Sequence, residues 1–145
     1  MFLGKYVSDL DPNNRLTVPS AFRAAASHEL YLTQGFDRNL LVLTETAFNE
    51  VYSRVSSLNL ADPAARLLLR LVLGNAHAVR TDENGFITVP DELRAFANLR
   101  DGILIVGQGD YFEVWSRDFW KKQESELNDA EANASRFAAL TVSTR

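Results

Sequence analysis

Residues 11–24, DPNNRLTVPSAFRA, return seventy-one positions later as residues 82–95, DENGFITVPDELRA. Seven of the fourteen aligned positions are identical: Asp11/Asp82, Asn13/Asn84, Thr17/Thr88, Val18/Val89, Pro19/Pro90, Arg23/Arg94 and Ala24/Ala95. A chain written twice must fold as two like subdomains or as one body with an internal pseudo-two-fold axis. The period is longer than that of stacked solenoid repeats, which favours a duplicated subdomain. The same register extends outward, with Ala26 on Ala97, Phe48 on Phe119 and residues 40–43 on 111–114. One mismatch stands out within the repeat: Arg15 faces Phe86.

Each half predicts the same order of elements. A strand (5–10; 76–81) leads to a turn built on Asp-x-Asn. A second strand (16–18; 87–89) carries Thr between apolar residues that suit a pleated surface. Proline ends that strand and opens a short helix (19–26; 90–97), where its missing N–H costs nothing. A hairpin follows (30–33 with 40–43; 103–106 with 111–115). Gly and Asn in its connections are expected to supply positive φ. A closing helix (46–58; 116–127) has Thr46 and Ser116 as expected N-caps. Between the halves, Asp62, Pro63 and Gly74 frame a helix over 63–73. Its leucines cover more than one stripe, as expected of a helix packed on both halves, or one that also meets another subunit.

The expected organisation is repeat 1 over 1–58, a linking helix over 59–74, repeat 2 over 75–127 and a flexible tail over 128–145. That tail is small and polar, although Phe137 and Leu140 offer docking points. A unit of 60–70 residues is small to be stable alone, so the two copies should pack together or assemble further.

The chain has 145 residues and no cysteine, which excludes disulfides and thiolate metal sites. Its start, MFLGKYVSDLD, is not expected to be a secretory leader, because charge comes early and the apolar run is short. A soluble cytoplasmic protein is expected, with no membrane contact. The net charge of −4 means that any cationic footprint must be local.

Enzyme chemistry finds little support. His28 and His77 align with Leu99 and Tyr6, recur nowhere and lack zinc-type spacing. No phosphate loop or nucleophile elbow is present. No cofactor, metal or small-molecule substrate is therefore expected. The acidic run Glu124, Glu126, Asp129 and Glu131 reads as a solvated face. The aromatic group Tyr111, Phe112, Trp115, Phe119 and Trp120 reads as core or interface, since alternation along a strand explains it better than a base-stacking platform.

The turn remains. Asn14 and Gly85 share one slot and are the residue types that best tolerate left-handed backbone. Asp11 and Asp82 start the two turns, where their side chains can accept from backbone N–H groups two positions on. Two readings of Arg15 stand side by side: an ion pair with Asp11 that closes the turn, or a finger projected from it. Arginine suits phosphate forks and guanine edges, and Asn13 and Asn14 can bond either.

The D-x-x-x-R turn followed by LTVPxxFR, duplicated in one chain, resembles the MraZ family. MFLGKY, DPAARLLLRLVLGNA and VGQGDYFEVW resemble further family segments in the right order. The resemblance implies a mixed α+β, β-rich fold: two fused AbrB-like swapped-hairpin repeats forming a pseudo-two-fold β-barrel with short flanking helices. It implies a sequence-specific, nucleoid-associated regulator. The partner would be double-stranded DNA carrying short repeats upstream of the division and cell-wall gene cluster, which such proteins usually repress together with their own gene. It also implies a ring-like homo-oligomer. Carried over by residue, Asp11 and Arg15 match the DNA-contacting turn. Asp82 and Gly85 match its second copy, but Phe86 stands where the family usually has Arg. Lys5, Arg23 and Arg94 are further cationic candidates. The competing expectation is a ring-forming interaction module with little DNA affinity, because Phe86 puts an apolar tip where phosphate contact needs a cation.

Overall fold

The computed structural model describes residues 1–140 of the chain. In chain order the strands are β1 (Lys5–Ser8), β2 (Arg15–Thr17), β3 (Leu30–Gln34), β4 (Leu40–Thr44), β5 (His77–Val79), β6 (Phe86–Thr88), β7 (Ile103–Gly107) and β8 (Tyr111–Ser116). The helices are α1 (Glu45–Ser56), α2 (Pro63–Val72), α3 (Asp91–Phe96), α4 (Arg117–Leu127) and α5 (Ala130–Ala138).

Six strands form one antiparallel sheet in the order β1-β7-β8-β4-β3-β5, and β2 pairs with β6 as a separate ribbon. That order is a palindrome under exchange of the two halves. β1 of the first half lies on β7 of the second, and β5 of the second lies on β3 of the first. The halves are thus swapped into each other, as the resemblance implies, and neither holds a complete sheet alone.

The pseudo-axis can be placed by residue. On the ribbon it passes through the Leu16–Ile87 pair. On the sheet it passes through Leu41–Glu113, flanked by Leu40–Val114 and Val42–Phe112. Backbone bonds repeat across it: Val18 N–H donates to the Gly85 carbonyl and Val89 N–H to that of Asn14, both at 2.8 Å.

The ribbon covers the sheet. Leu16 and Ile87 are 0% exposed and share one core with Phe2, Phe22, Leu32, Ile105 and Phe112. Phe2 anchors that core. Its ring meets Phe22 and Phe112 edge-on at centroid distances of 5.0 and 5.1 Å, geometry that suits the ring quadrupoles. A Leu10–Leu16 bridge joins the ribbon to the segment that follows β1. Trp115 and Trp120 form a second cluster with Val106, so the aromatic group of the second half is spent on packing.

Several expectations are corrected in detail. The register does not stay at seventy-one. Leu30 and Ile103 begin the equivalent strands β3 and β7 seventy-three positions apart, and Thr44 and Ser116 end β4 and β8 seventy-two apart. Extra residues before β7 cause the slip, and Phe48 therefore corresponds to Trp120 rather than Phe119. The N-cap of α1 is Thr44, not Thr46: its hydroxyl accepts from Ala47 N–H at 3.2 Å. Ser116 caps α4 as expected, and Asp62 caps α2. Residues 19–26 form only a three-residue 3-10 turn, Ser20–Phe22, followed by further turns. In the first hairpin Arg38, not Gly or Asn, carries positive φ (56°), while Gly109 does so in the second. Arg38 gains aromatic contacts there, over the rings of Phe96 and Phe119. Where fraying is expected after Asn128, α5 forms, with Asp129 accepting from Ala132 N–H as its cap. Phe137 and Leu140 are exposed, and residues 141–145 lie outside the described residues.

Candidate nucleic-acid interface

The two turns have one backbone design. Asp11 N–H donates to the Arg15 carbonyl (3.0 Å) and Asn14 N–H to the Asp11 carbonyl (3.0 Å). Asp82 repeats both bonds with Phe86 and Gly85, at 2.9 and 3.0 Å. In each turn one carboxylate oxygen accepts two backbone N–H groups. Asp11 Oδ1 takes those of Asn13 (2.9 Å) and Arg15 (2.8 Å), and Asp82 Oδ1 takes those of Asn84 and Phe86, both at 2.9 Å. The shared slot is left-handed in both, with Asn14 at φ 60° and Gly85 at φ 83°. This explains why the shared backbone chemistry recurs: Asp at the first position accepts the turn's backbone N–H groups, and Asn or Gly at the fourth tolerates the left-handed backbone.

The side chains differ. Asp11 Oδ2 accepts from Arg15 Nε at 2.7 Å. The Arg15 backbone N–H, more than its side chain, holds the Asp11 carboxyl below the usual carboxylate range. The Arg15 side chain is 43% exposed, and its Cζ lies 5.3 Å from the centroid of the Phe86 ring. Of the two sequence readings of Arg15, the structure shows the first: it closes the turn through Nε, and its terminal nitrogens make no hydrogen bond among the described residues. Phe86 has no side-chain donor for Asp82, so the second turn lacks this ion pair.

Of the other predicted residues, Asn14 uses its side-chain amide to donate to Asp91 at the start of α3. The Asn13 side chain is exposed, with no hydrogen bond among the described residues. Arg23 reaches across to the second turn. A β-carbon placed on Gly85 would fall 2.6 Å from Arg23 Nε and 2.7 Å from Cζ and Nη2. The structure thus brings Arg15, Asn14 and Phe86 together near the ribbon, with Arg23 against Gly85. It does not bring Lys5 there: Lys5 sits at the start of β1 over the Trp120 ring, 5.8 Å from its centroid. Arg94 lies on α3, its side chain toward solvent.

Sequence reasoning missed Asp91, which the repeat places opposite Ser20, and the Arg15–Phe86 contact. That contact becomes readable only once β2 is known to pair with β6. Among the described residues, no group of three His, Cys, Asp or Glu side chains could hold a metal ion. Among the described residues, no helix is long and apolar enough to cross a membrane.

The family model described as MraZ protein, antitoxin-like, matches twice, over residues 1–71 and 72–141. The chain belongs to the MraZ family. A relative from Thermomicrobium roseum, named "Transcriptional regulator MraZ", is 39% identical over 97% of this chain and 99% of its own. Proteins of the same name from Roseiflexus castenholzii and Herpetosiphon aurantiacus are 38% and 34% identical. They cover 100% and 98% of this chain, and 99% and 100% of their own. The two matches of the MraZ model meet in the last turn of α2, close to where the repeat unit begins again.

Proposed function

We propose that this MraZ-family chain is a sequence-specific DNA-binding transcriptional regulator, not an enzyme, with Arg15 as its principal DNA contact. The Arg15 guanidinium carries this reading. Nε is fixed on Asp11, and among the described residues its terminal nitrogens make no hydrogen bond. The free edge between those terminal nitrogens, held on a rigid turn, offers two parallel N–H groups that match a phosphate or the O6/N7 edge of guanine. Asn13, with its side chain exposed, is a further donor. Asn14 and Arg23 contribute through the shape and charge of the two turns, and Lys5 belongs at most to a peripheral contact. Asp11, Asp82 and Gly85 orient the motif.

The family resemblance supplies the rest of the proposal: repression of its own gene and of the division and cell-wall cluster through short upstream repeats, by a cytoplasmic, ring-like homo-oligomer. Physics favours several copies. Asp11, Asp82 and Asp91 lie beside the cations, and the chain is acidic overall, so one tip binds weakly. Linked tips on repeated sites gain through effective concentration.

The test is binding of wild type and Arg15→Ala to duplex DNA from upstream of the protein's own gene, across salt concentrations. Loss of a phosphate contact should weaken binding and make the negative slope of log K against log salt shallower by about 0.9 per contact. Unchanged binding by a folded Arg15→Ala protein would remove Arg15 from the interface. Phe86 at the second tip favours the competing reading, an assembly module with little DNA affinity. That reading gains if the wild type assembles but binds no upstream DNA.

A further inference from the structure

We propose that Phe86 is a positioning residue for Arg15: its ring forms the floor, and Asp11 the wall, of a mount that fixes the guanidinium before DNA arrives. This rests on the DNA-binding reading above and deepens it. The mount follows from the ribbon register. Arg15 stands opposite Thr88 and Phe86 opposite Thr17, so Arg15 and Phe86 are diagonal neighbours on the face turned away from buried Leu16 and Ile87. A slip of one residue would expose those two side chains, so the pairing is firmly specified. The backbone that carries the ring is itself held, because the Phe86 backbone N–H donates to Asp82 Oδ1 and its carbonyl accepts from Asp82 N–H, both at 2.9 Å.

On that floor the guanidinium lies 5.3 Å from the ring centroid, within cation–π range. Its Nε is taken by Asp11, which leaves the terminal nitrogens as the free edge. A long side chain already confined to one orientation loses less freedom on binding, which raises affinity without a new contact. The ligand class is an acceptor pair that takes two parallel N–H bonds, a DNA phosphate or a guanine edge. An arginine at position 86 would instead set a like charge beside Arg15. The second copy of the turn therefore serves the first.

The experiment uses the full chain and a fluorescent duplex from immediately upstream of its own coding sequence, with Phe86→Leu, Phe86→Tyr, Arg15→Ala and the Phe86→Leu/Arg15→Ala pair. Phe86→Leu should weaken binding roughly two- to fivefold per contacting subunit. Phe86→Tyr should restore it, and Phe86→Leu should have no effect in the Arg15→Ala background. The salt slope should stay at the wild-type value in Phe86→Leu, because no charge is lost. In the free protein, upfield ring-current shifts of the Arg15 side-chain protons should be present in wild type and Phe86→Tyr and absent in Phe86→Leu. Wild-type affinity in Phe86→Leu, or an equal loss in both Arg15 backgrounds, overturns the positioning role alone. A wild type without DNA affinity overturns the DNA-binding reading and the positioning role with it.

Discussion

Gly85→Ala tests the turn design where the structure is most specific. Gly85 sits at φ 83°, a conformation in which an L side chain crowds its own backbone. That alone is worth about 1–2 kcal/mol. The new β-carbon would also meet the Arg23 guanidinium at 2.6–2.7 Å. This obstruction is the end of a flexible side chain, so Arg23 can swing away, and its share of the cost is the smaller one. A protein of this length changes entropy on unfolding by about 0.3 kcal/mol/K, so the loss lowers Tm by about 3–7 °C. Thermal unfolding followed by circular dichroism, at one fixed protomer concentration, measures it. Two companion variants separate the causes. Gly85→Asn keeps the obstruction but tolerates left-handed backbone, as Asn14 does at the equivalent position, and should lose less than Gly85→Ala. Gly85→Ala combined with Arg23→Ala removes the obstruction and should keep most of the loss. A Gly85→Ala protein melting within a degree of wild type would refute the claim that this position requires glycine.

Further predictions address the core, a cap and two carboxylates. Phe112→Ala empties a fully buried site between Phe2 and Phe22 and should cost about 3–5 kcal/mol in urea unfolding. Thr44→Ala removes the α1 cap and should cost about 1 kcal/mol, whereas Thr46→Ala should cost far less. Glu113 accepts from Asn39 Nδ2 and Trp115 Nε1, each at 3.0 Å, so Glu113→Leu leaves two donors unpaired and should destabilise by about 1–3 kcal/mol. Burial outweighs those bonds and raises the Glu113 carboxyl above its ordinary value. Its favourable contribution is therefore complete below the ordinary carboxylate range and fades as pH rises through the folded value, a trend that Glu113→Gln should flatten in pH-dependent melts. Asp11 is shifted the other way, so its contribution holds above that range and fades as pH falls through its lowered value; Asp11→Asn should flatten that acid limb.

The parts of this fold legible in the sequence are those dictated by local chemistry. Asn14 and Gly85 announce left-handed backbone, Asp62-Pro63 announces a helix start, and short apolar runs bounded by Gly and Asn announce β3, β4, β7 and β8. The parts that were not legible depend on what lies across the chain. Arg38 takes a positive φ despite its side chain, because Phe96 and Phe119 receive its guanidinium. Thr44 rather than Thr46 caps α1, because pairing with Leu30 carries β4 as far as Thr44. At the candidate site the turn geometry could be read, but the partners could not. Asp91 beside Asn14, Arg23 over Gly85 and Phe86 beneath Arg15 all come from the opposite half.

That interleaving gives the departures from symmetry a physical meaning. In a two-fold homodimer, a residue on the axis meets its own copy. Two glutamates in place of Leu41 and Glu113 would be paired directly on the sheet, and two arginines in place of Arg15 and Phe86 would converge on the ribbon. Like charges set across an antiparallel pair are destabilising. Fusing the copies into one chain lifts the constraint, because each axial position can carry two different residues. The glutamate then faces a leucine and takes its bonds from Asn39 and Trp115. The arginine faces a phenylalanine and keeps its charge for an outside partner. Phe86→Arg puts the converging charges back on the ribbon. It should lower stability most at low ionic strength and recover as salt screens the pair, whereas Phe86→Leu should show no such salt dependence. Equal salt responses in the two variants would mean that charge across the axis does not decide which residue stands at position 86.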